Sequence, residues 1–252
     1  MNYFTIFSDI DGIIWPEIPV LFAIAKNIFK DRKKLKPNML TTYSIKSELN
    51  TPPLLSSEEV KKIFRDYEKI KIFQYPLNEL KKILKNYYKT DINFNISNYL
   101  SNIKFLKKIN KRNKLIFFTT RNNYQNKRNL ISDTRAFLES YGFKNQSYFT
   151  NKDGPKGEII LNTIKKLPKQ KILIIEDSLI HIIRMEKILK ENEINDYKFI
   201  IINYPWNITK DSRKRYNSCN EAYNEDKIDK HIKKLEENNR IIRVNKLYEL
   251  KL

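Results

Sequence analysis

Asp9 and Asp11, set two residues apart in Asp9-Ile10-Asp11-Gly12, follow directly on the apolar run Tyr3-Phe4-Thr5-Ile6-Phe7. Two carboxylates at the end of a short buried strand can share a hard cation. One of them can also attack an electrophile while the other moves a proton. Asp-Gly is equally a turn dipeptide, so the tetrapeptide alone leaves a solvated loop open as the alternative. Three further polar clusters narrow the choice. Leu115-Ile116-Phe117-Phe118 runs into Thr119-Thr120-Arg121, Lys156 opens a helical stretch from Gly157 to Leu167, and Ile172-Leu173-Ile174-Ile175 runs into Glu176-Asp177. Taken singly, the threonines suit strand ends, Lys152 competes with Lys156, and Glu176-Asp177 suits a helix cap.

An acidic pair, a hydroxyl, a lysine and a second acidic pair in this order resemble the haloacid dehalogenase (HAD) superfamily of phosphatases. Thr119-Thr120-Arg121 and Tyr204-Pro205-Trp206-Asn207 are similar to motifs of its 5'(3')-deoxyribonucleotidase branch. The resemblance implies that Asp9 is a nucleophile forming an aspartyl-phosphate and that Asp11 is the general acid and base. It implies that Thr119, Thr120 and Lys156 bind phosphate. A Mg2+ ion would be held by Asp9, the Asp11 backbone carbonyl and Asp177, with Glu176 nearby or acting through water. Arg121 either holds substrate phosphate or pairs with an acid of the fold, and Trp15 is either a base-stacking platform or core. The sequence departs from the branch at Ile13, where Thr or Val is usual, and at Glu176, where Asp is common. The expected activity is a Mg2+-dependent nucleotidase acting on deoxynucleoside monophosphates. The alternatives are a phosphatase of 3'- or 5'-phosphorylated nucleic acid ends and a non-enzymatic nucleic-acid binder on the same scaffold.

These residues need elements to position them. From Leu115 onward strand-like runs alternate with helical stripes: a helix over Ser132 to Tyr141 closed by Gly142, then Lys156 to Leu167, Ile172 to Ile175, Ile180 to Leu189, and Phe199 to Ile202. That rhythm predicts an α/β fold, a parallel sheet with helices on both faces and its ligand site outside the carboxyl ends of the strands. Between the first two motifs the stripes are helical: Ile18 to Phe29, then Val60, Ile63, Phe64, Tyr67 and Ile70, then Leu77, Leu80, Ile83, Leu84 and Tyr87, then Ile96, Tyr99, Leu100, Ile103 and Leu106. Pro37 and Thr51-Pro52-Pro53 break this segment as loops. We therefore divide the chain into a HAD-like core at 1–13 and 114–207, a helical cap inserted at 14–113, and an extension at 208–252 packed on the core. In the extension, Ile228, Ile232 and Leu235 mark a polar-faced helix and Ile241 to Val244 a short edge strand.

The chain of 252 residues suffices for one such core plus an insertion. Cys219 is the only cysteine, and His181 and His231 are the only histidines, so a cysteine-based zinc site is excluded and any metal should be oxygen-ligated. No signal peptide precedes the first strand, and no apolar run approaches the roughly 20 residues that span a bilayer, so a soluble cytoplasmic protein with no membrane partner is expected. The net charge is +20, and residues 14–113 hold 21 basic against nine acidic side chains. Such a cap would draw in anions, from a small phosphorylated substrate to nucleic acid. The general bias toward Lys, Asn, Ile and Tyr offers codon usage as a second source of the charge.

Overall fold

The computed structural model describes residues 4–28, 58, 62–63, 65–67, 69–70, 76–88, 96–121, 124–125, 128–167, 170–204 and 225–250. Its spine is β1 (Phe4–Asp9), an apolar strand buried along nearly its whole length, which marks a central position between two layers. The chain then runs through α1 (Glu17–Ile28), helical residues between 58 and 70, α2 (Leu77–Tyr88) and α3 (Ile96–Asn110) before returning as β2 (Lys114–Thr119). A small hairpin of β3 (Tyr124–Gln125) and β4 (Arg128–Asn129) leads into α4 (Leu130–Ser140) and the three-residue β5 (Ser147–Phe149). Next come α5 (Thr150–Asp153), α6 (Lys156–Ile164), β6 (Lys171–Ile175), α7 (Leu179–Glu191) and β7 (Tyr197–Ile202). The chain closes with α8 (Glu225–Glu237), β8 (Ile241–Val244) and a 3-10 turn at Leu247–Glu249.

Six strands form one sheet in the order β5-β2-β1-β6-β7-β8. Every pairing in it is parallel. The two-residue side-chain period divides each central strand between two cores. Ile6, Leu115, Phe117, Leu173, Ile175, Ile200 and Ile202 face one cluster, which α1, α2 and α3 complete through residues such as Leu21, Leu80 and Ile103. Phe7, Ile116, Phe118, Ile172, Ile174, Phe199 and Ile201 face the other, closed by α6, α7 and α8 through Ile160, Ile182 and Ile232. The described helices of 14–113 thus share one apolar cluster with the first of these faces of the sheet. β8 pairs with β7 from Phe199↔Ile241 to Ile202↔Val244, so the end of the chain supplies the sheet's edge.

The expected strands and the expected helices that are described in full are found within a few residues of their predicted limits, and the described residues between 58 and 70 are helical. Four features had not been anticipated: β5, the β3–β4 hairpin, the short helix α5 and the 3-10 turn at Leu247–Glu249. Phe29, Pro37, Thr51 to Pro53, Val60, Phe64, Pro205 to Asn207 and Cys219 lie outside the described residues. No described helix is long and apolar enough to cross a membrane.

Candidate active site

β2, β1 and β6 are adjacent, and their carboxyl ends open on one edge of the sheet. Asp9, opposite Phe118, closes β1, Thr119 closes β2, and Glu176 follows β6 directly. After Asp9 the chain doubles back at once. Ile14 N and Trp15 N donate to Ile10 O at 3.0 and 2.9 Å, and Gly12 N donates to Trp15 O at 2.8 Å. Asn102 Nδ2, reaching from α3, donates to Ile13 O at 2.8 Å and fixes the turn from the helical layer. Gly12 sits at φ +79°, and a Cβ there would stand 2.1 Å from Asp177 Oδ2 and 2.4 Å from Asp177 Cγ. The bare Cα is what allows the Asp177 carboxylate to lie against the Asp9–Asp11 loop.

Lys156, the first residue of α6, is 5% exposed. Its Nζ donates to Asp9 Oδ2 and Glu176 Oε2, each at 2.7 Å, lies 3.3 Å from His181 Nδ1, and sits 4.7 Å from the centre of the Phe118 ring. Lys152 is exposed. Glu176 is fully buried, and its second oxygen accepts the backbone N–H groups of Asp177 and Ser178 at 3.2 and 3.1 Å. Asp9 receives one backbone donor, Ile10 N, at 2.7 Å.

Asp11 meets a different cation. Arg121 Nε lies 2.8 Å from Asp11 Oδ2, and Nη2 lies 2.5 Å from Oδ1, a bidentate fork. The fork is placed by Thr134 Oγ1 at 3.3 Å from Nη1 and by the Trp15 ring, 5.5 Å from the guanidinium carbon. Thr119 Oγ1 donates to Asp11 Oδ2 at 3.3 Å and accepts from Arg121 N at 3.2 Å. Behind Trp15, Tyr67 packs edge-on at 6.2 Å between ring centres and donates its hydroxyl to Glu17 Oε1 at 2.6 Å.

The electrostatics follow from this sharing. Burial alone would raise Glu176 and lower Lys156, but their contact reverses both shifts. Glu176 is held well below the usual carboxylate range, and Lys156 above the usual lysine value. Asp9 shares the same ammonium with fewer backbone donors. Burial, then the charge of Glu176, push it well above the usual range. His181 is lowered by burial and by the facing Lys156. Burial would lower Arg121 too, and Asp11 more than offsets it.

Three buried carboxylates (Asp9, Asp11 and Glu176) therefore pair with two buried cations, Lys156 and Arg121, while Asp177 lies against the Gly12 turn; burial first, and then the charge of Glu176, raise Asp9. The donors facing the Gly12 turn, Asp9 and Asp177, are oxygens, and this chemistry fits Mg2+. Asp9, Glu176 and His181 also offer ligand atoms within 4.8 Å of one another, but Lys156 Nζ already lies within hydrogen-bond distance of all three.

Of the residues singled out in the sequence, the structure brings together Asp9, Asp11, Thr119, Arg121, Lys156, Glu176 and Asp177. Thr120 is exposed beyond the end of β2. Trp15 is 0% exposed, so it offers no free face for a base, and its Nε1 has no hydrogen-bond partner among the described residues. Sequence reasoning missed His181, Thr134 and Asn102. His181 carries the one available signal, lying one helical turn beyond the acidic pair on a helix that Ser178 caps.

No protein-family model and no curated protein matches this chain. Among solved structures it is similar to a haloacid dehalogenase-like hydrolase of Burkholderia xenovorans, at 11% identity and a TM-score of 0.40 over 83% of this chain and 89% of that one. A haloacid dehalogenase-like family hydrolase of Streptococcus pneumoniae aligns at 14% identity and 0.40 over 91% and 98%. A HAD-superfamily hydrolase of subfamily IA from Geobacter sulfurreducens aligns at 16% and 0.36 over 81% and 88%.

Proposed function

We propose that this chain is a Mg2+-dependent phosphomonoesterase of the haloacid dehalogenase type, acting on nucleoside monophosphates as a 5'(3')-nucleotidase. The observation that carries the reading is the meeting of Asp9, Asp11, Thr119, Lys156 and Asp177 at the carboxyl ends of three adjacent parallel strands. Asp9 and Asp177, with the Asp11 backbone carbonyl, would hold Mg2+, which when bound supplies positive charge against carboxylate–phosphate repulsion. The nucleotide preference rests on the resemblance of Thr119 to Arg121 and of Tyr204 to Asn207 to that branch.

In this reading an Asp9 carboxylate oxygen bonds to phosphorus as the ester P–O bond breaks. The departing alkoxide takes a proton from Asp11. Water then attacks the aspartyl-phosphate, Asp11 takes up its proton, the bond from phosphorus to Asp9 breaks, and inorganic phosphate leaves. Lys156 beside Asp9 and the Thr119 hydroxyl stabilise charge on the transferring oxygens. For Asp11 to carry a proton, one of its oxygens has to leave the Arg121 fork, and a phosphate dianion is a suitable new partner for the guanidinium.

The test is phosphate release from deoxynucleoside monophosphates, sugar phosphates and end-phosphorylated oligonucleotides, with and without Mg2+, for wild type and Asp9→Asn. The expected result is Mg2+-dependent release from the monophosphates, reduced by about a thousand-fold or more in the variant because the nucleophile is gone. Release from oligonucleotides alone would move the substrate to nucleic acid ends. No release from any monoester would overturn the reading.

A further inference from the structure

We infer that His181 is a positioning residue for Lys156: its unprotonated Nδ1 accepts the third ammonium proton and holds Nζ between Asp9 and Glu176. The catalytic consequence rests on the phosphatase reading above; the hydrogen bond itself does not. A lysine ammonium has three donors and no acceptor capacity. Two of them are taken at 2.7 Å by Asp9 Oδ2 and Glu176 Oε2, and His181 Nδ1 stands third at 3.3 Å.

A proton on Nδ1 would face the ammonium or point at Glu176 Oε1, 3.4 Å away. That oxygen already accepts the backbone N–H groups of Asp177 and Ser178, so it does not call for a further donor. The inferred arrangement places the ring hydrogen on Nε2. Its place is set by the first turn of α7, where Ser178 Oγ accepts the backbone N–H of His181 at 3.4 Å. With this third bond made, the ammonium is fixed in direction as well as in place. The bond to His181 is the longest of the three and leads from the most exposed partner, the side chain being 18% exposed against 7% for Asp9 and none for Glu176.

Nitrogen NMR of the imidazole rings tests the tautomer directly, because the chain has only two histidines and a His231→Gln variant assigns the other signal. A neutral ring with its proton on Nε2 is expected; a proton on Nδ1, or a doubly protonated ring at neutral pH, would overturn the inference. In turnover assays His181→Leu removes the acceptor, whereas His181→Asn keeps an oxygen near the place of Nδ1. His181→Leu should lower kcat about ten-fold with KM changed by less than about two-fold, and His181→Asn should stay within about three-fold of wild type. Equal losses in the two variants, or none in either, would overturn it. A wild-type protein inactive on every monoester would count against the phosphatase reading alone, and the NMR result would still decide the role of His181.

Discussion

An ammonium buried between two carboxylates is stable only while all three groups are present. Lys156→Met removes the cation and leaves Asp9 and Glu176 facing each other with 5% and 0% exposure. Removing one partner of a buried ion pair typically costs about 3–5 kcal/mol. The pH dependence of that loss follows from the shifts. Glu176 is depressed in the folded state, so its contribution is present above its unfolded pKa and is lost as pH falls through the folded value. Lys156 is raised, so its contribution is present below its unfolded pKa and is lost as pH rises through the folded one. Asp9 is raised and acts with the opposite sign to Glu176. Urea unfolding should therefore show the variant about 3 kcal/mol less stable near neutrality, the deficit shrinking as pH falls and one carboxyl takes up a proton. A deficit independent of pH would mean that the two carboxylates do not share this lysine. At this scale the sequence was partly legible. Asp9 and Asp11 stand out because two carboxylates close an apolar run and three further polar clusters follow in order, whereas Lys156 is one of 49 basic residues and only its burial distinguishes it from Lys152. Arg121 was left between two roles because nothing in the local sequence reports a partner 110 positions away.

Elements carry these residues only if they meet at the right spacing, and α6 and α7 meet closely. Gly157 follows Lys156, and a Cβ there would stand 2.6 Å from Ile188 Cδ1 and 3.0 Å from Ile188 Cβ. Alanine suits a helix better than glycine by roughly 1 kcal/mol, so only the clash argues against it. Overpacking of this kind costs about 1–3 kcal/mol, and Gly157→Ala should come out less stable by about 1 kcal/mol and less active because Lys156 moves with its helix. Ile188→Val deletes the Cδ1 that is struck first. In a double-mutant cycle it should recover about 1 kcal/mol of the loss, although alone it costs about 0.5–1.5 kcal/mol. Additive losses in thermal or urea unfolding would show that the helices are free to separate. The strands were readable because fully buried parallel strands are near-continuous apolar runs. β5 was not, since Ser147–Phe149 is short and lies at the sheet's edge with only Phe149 buried. The stripes of α1 to α3 were readable as packing faces, but periodicity cannot say which partner a face meets. That they share a core with the sheet is a tertiary fact.

Over the whole molecule, the net charge of +20 sets what the site attracts and from how far. A nucleic-acid track needs cations aligned along one surface, because affinity grows with the number of phosphates neutralised together. Exposed lysines stand on α2 and α3, Lys82, Lys85 and Lys104 among them, but equally on α7 and α8 across the sheet, as with Lys187, Lys190 and Lys233. Among the described residues, cations on both faces of the sheet raise the potential around it and attract anions. Among the described residues, the candidate active-site edge has a more acidic character, Asp9, Asp11 and Glu176 being paired there with Lys156 and Arg121 and Asp177 lying beside the Gly12 turn. The salt dependence of turnover separates the cases. Binding along a single strand loses about 0.7 log unit of affinity per log unit of salt for each phosphate neutralised, so four contacts would raise KM several hundred-fold over a ten-fold rise in salt. For a nucleoside monophosphate under the same conditions KM should rise by less than about ten-fold, the response of a single phosphate held mainly by buried groups that salt screens weakly. An end-phosphorylated oligonucleotide should follow the same shallow slope. A steep slope for the oligonucleotide alone would mean that the dispersed lysines act together as a track, and would make nucleic acid ends the natural substrate of the same chemistry.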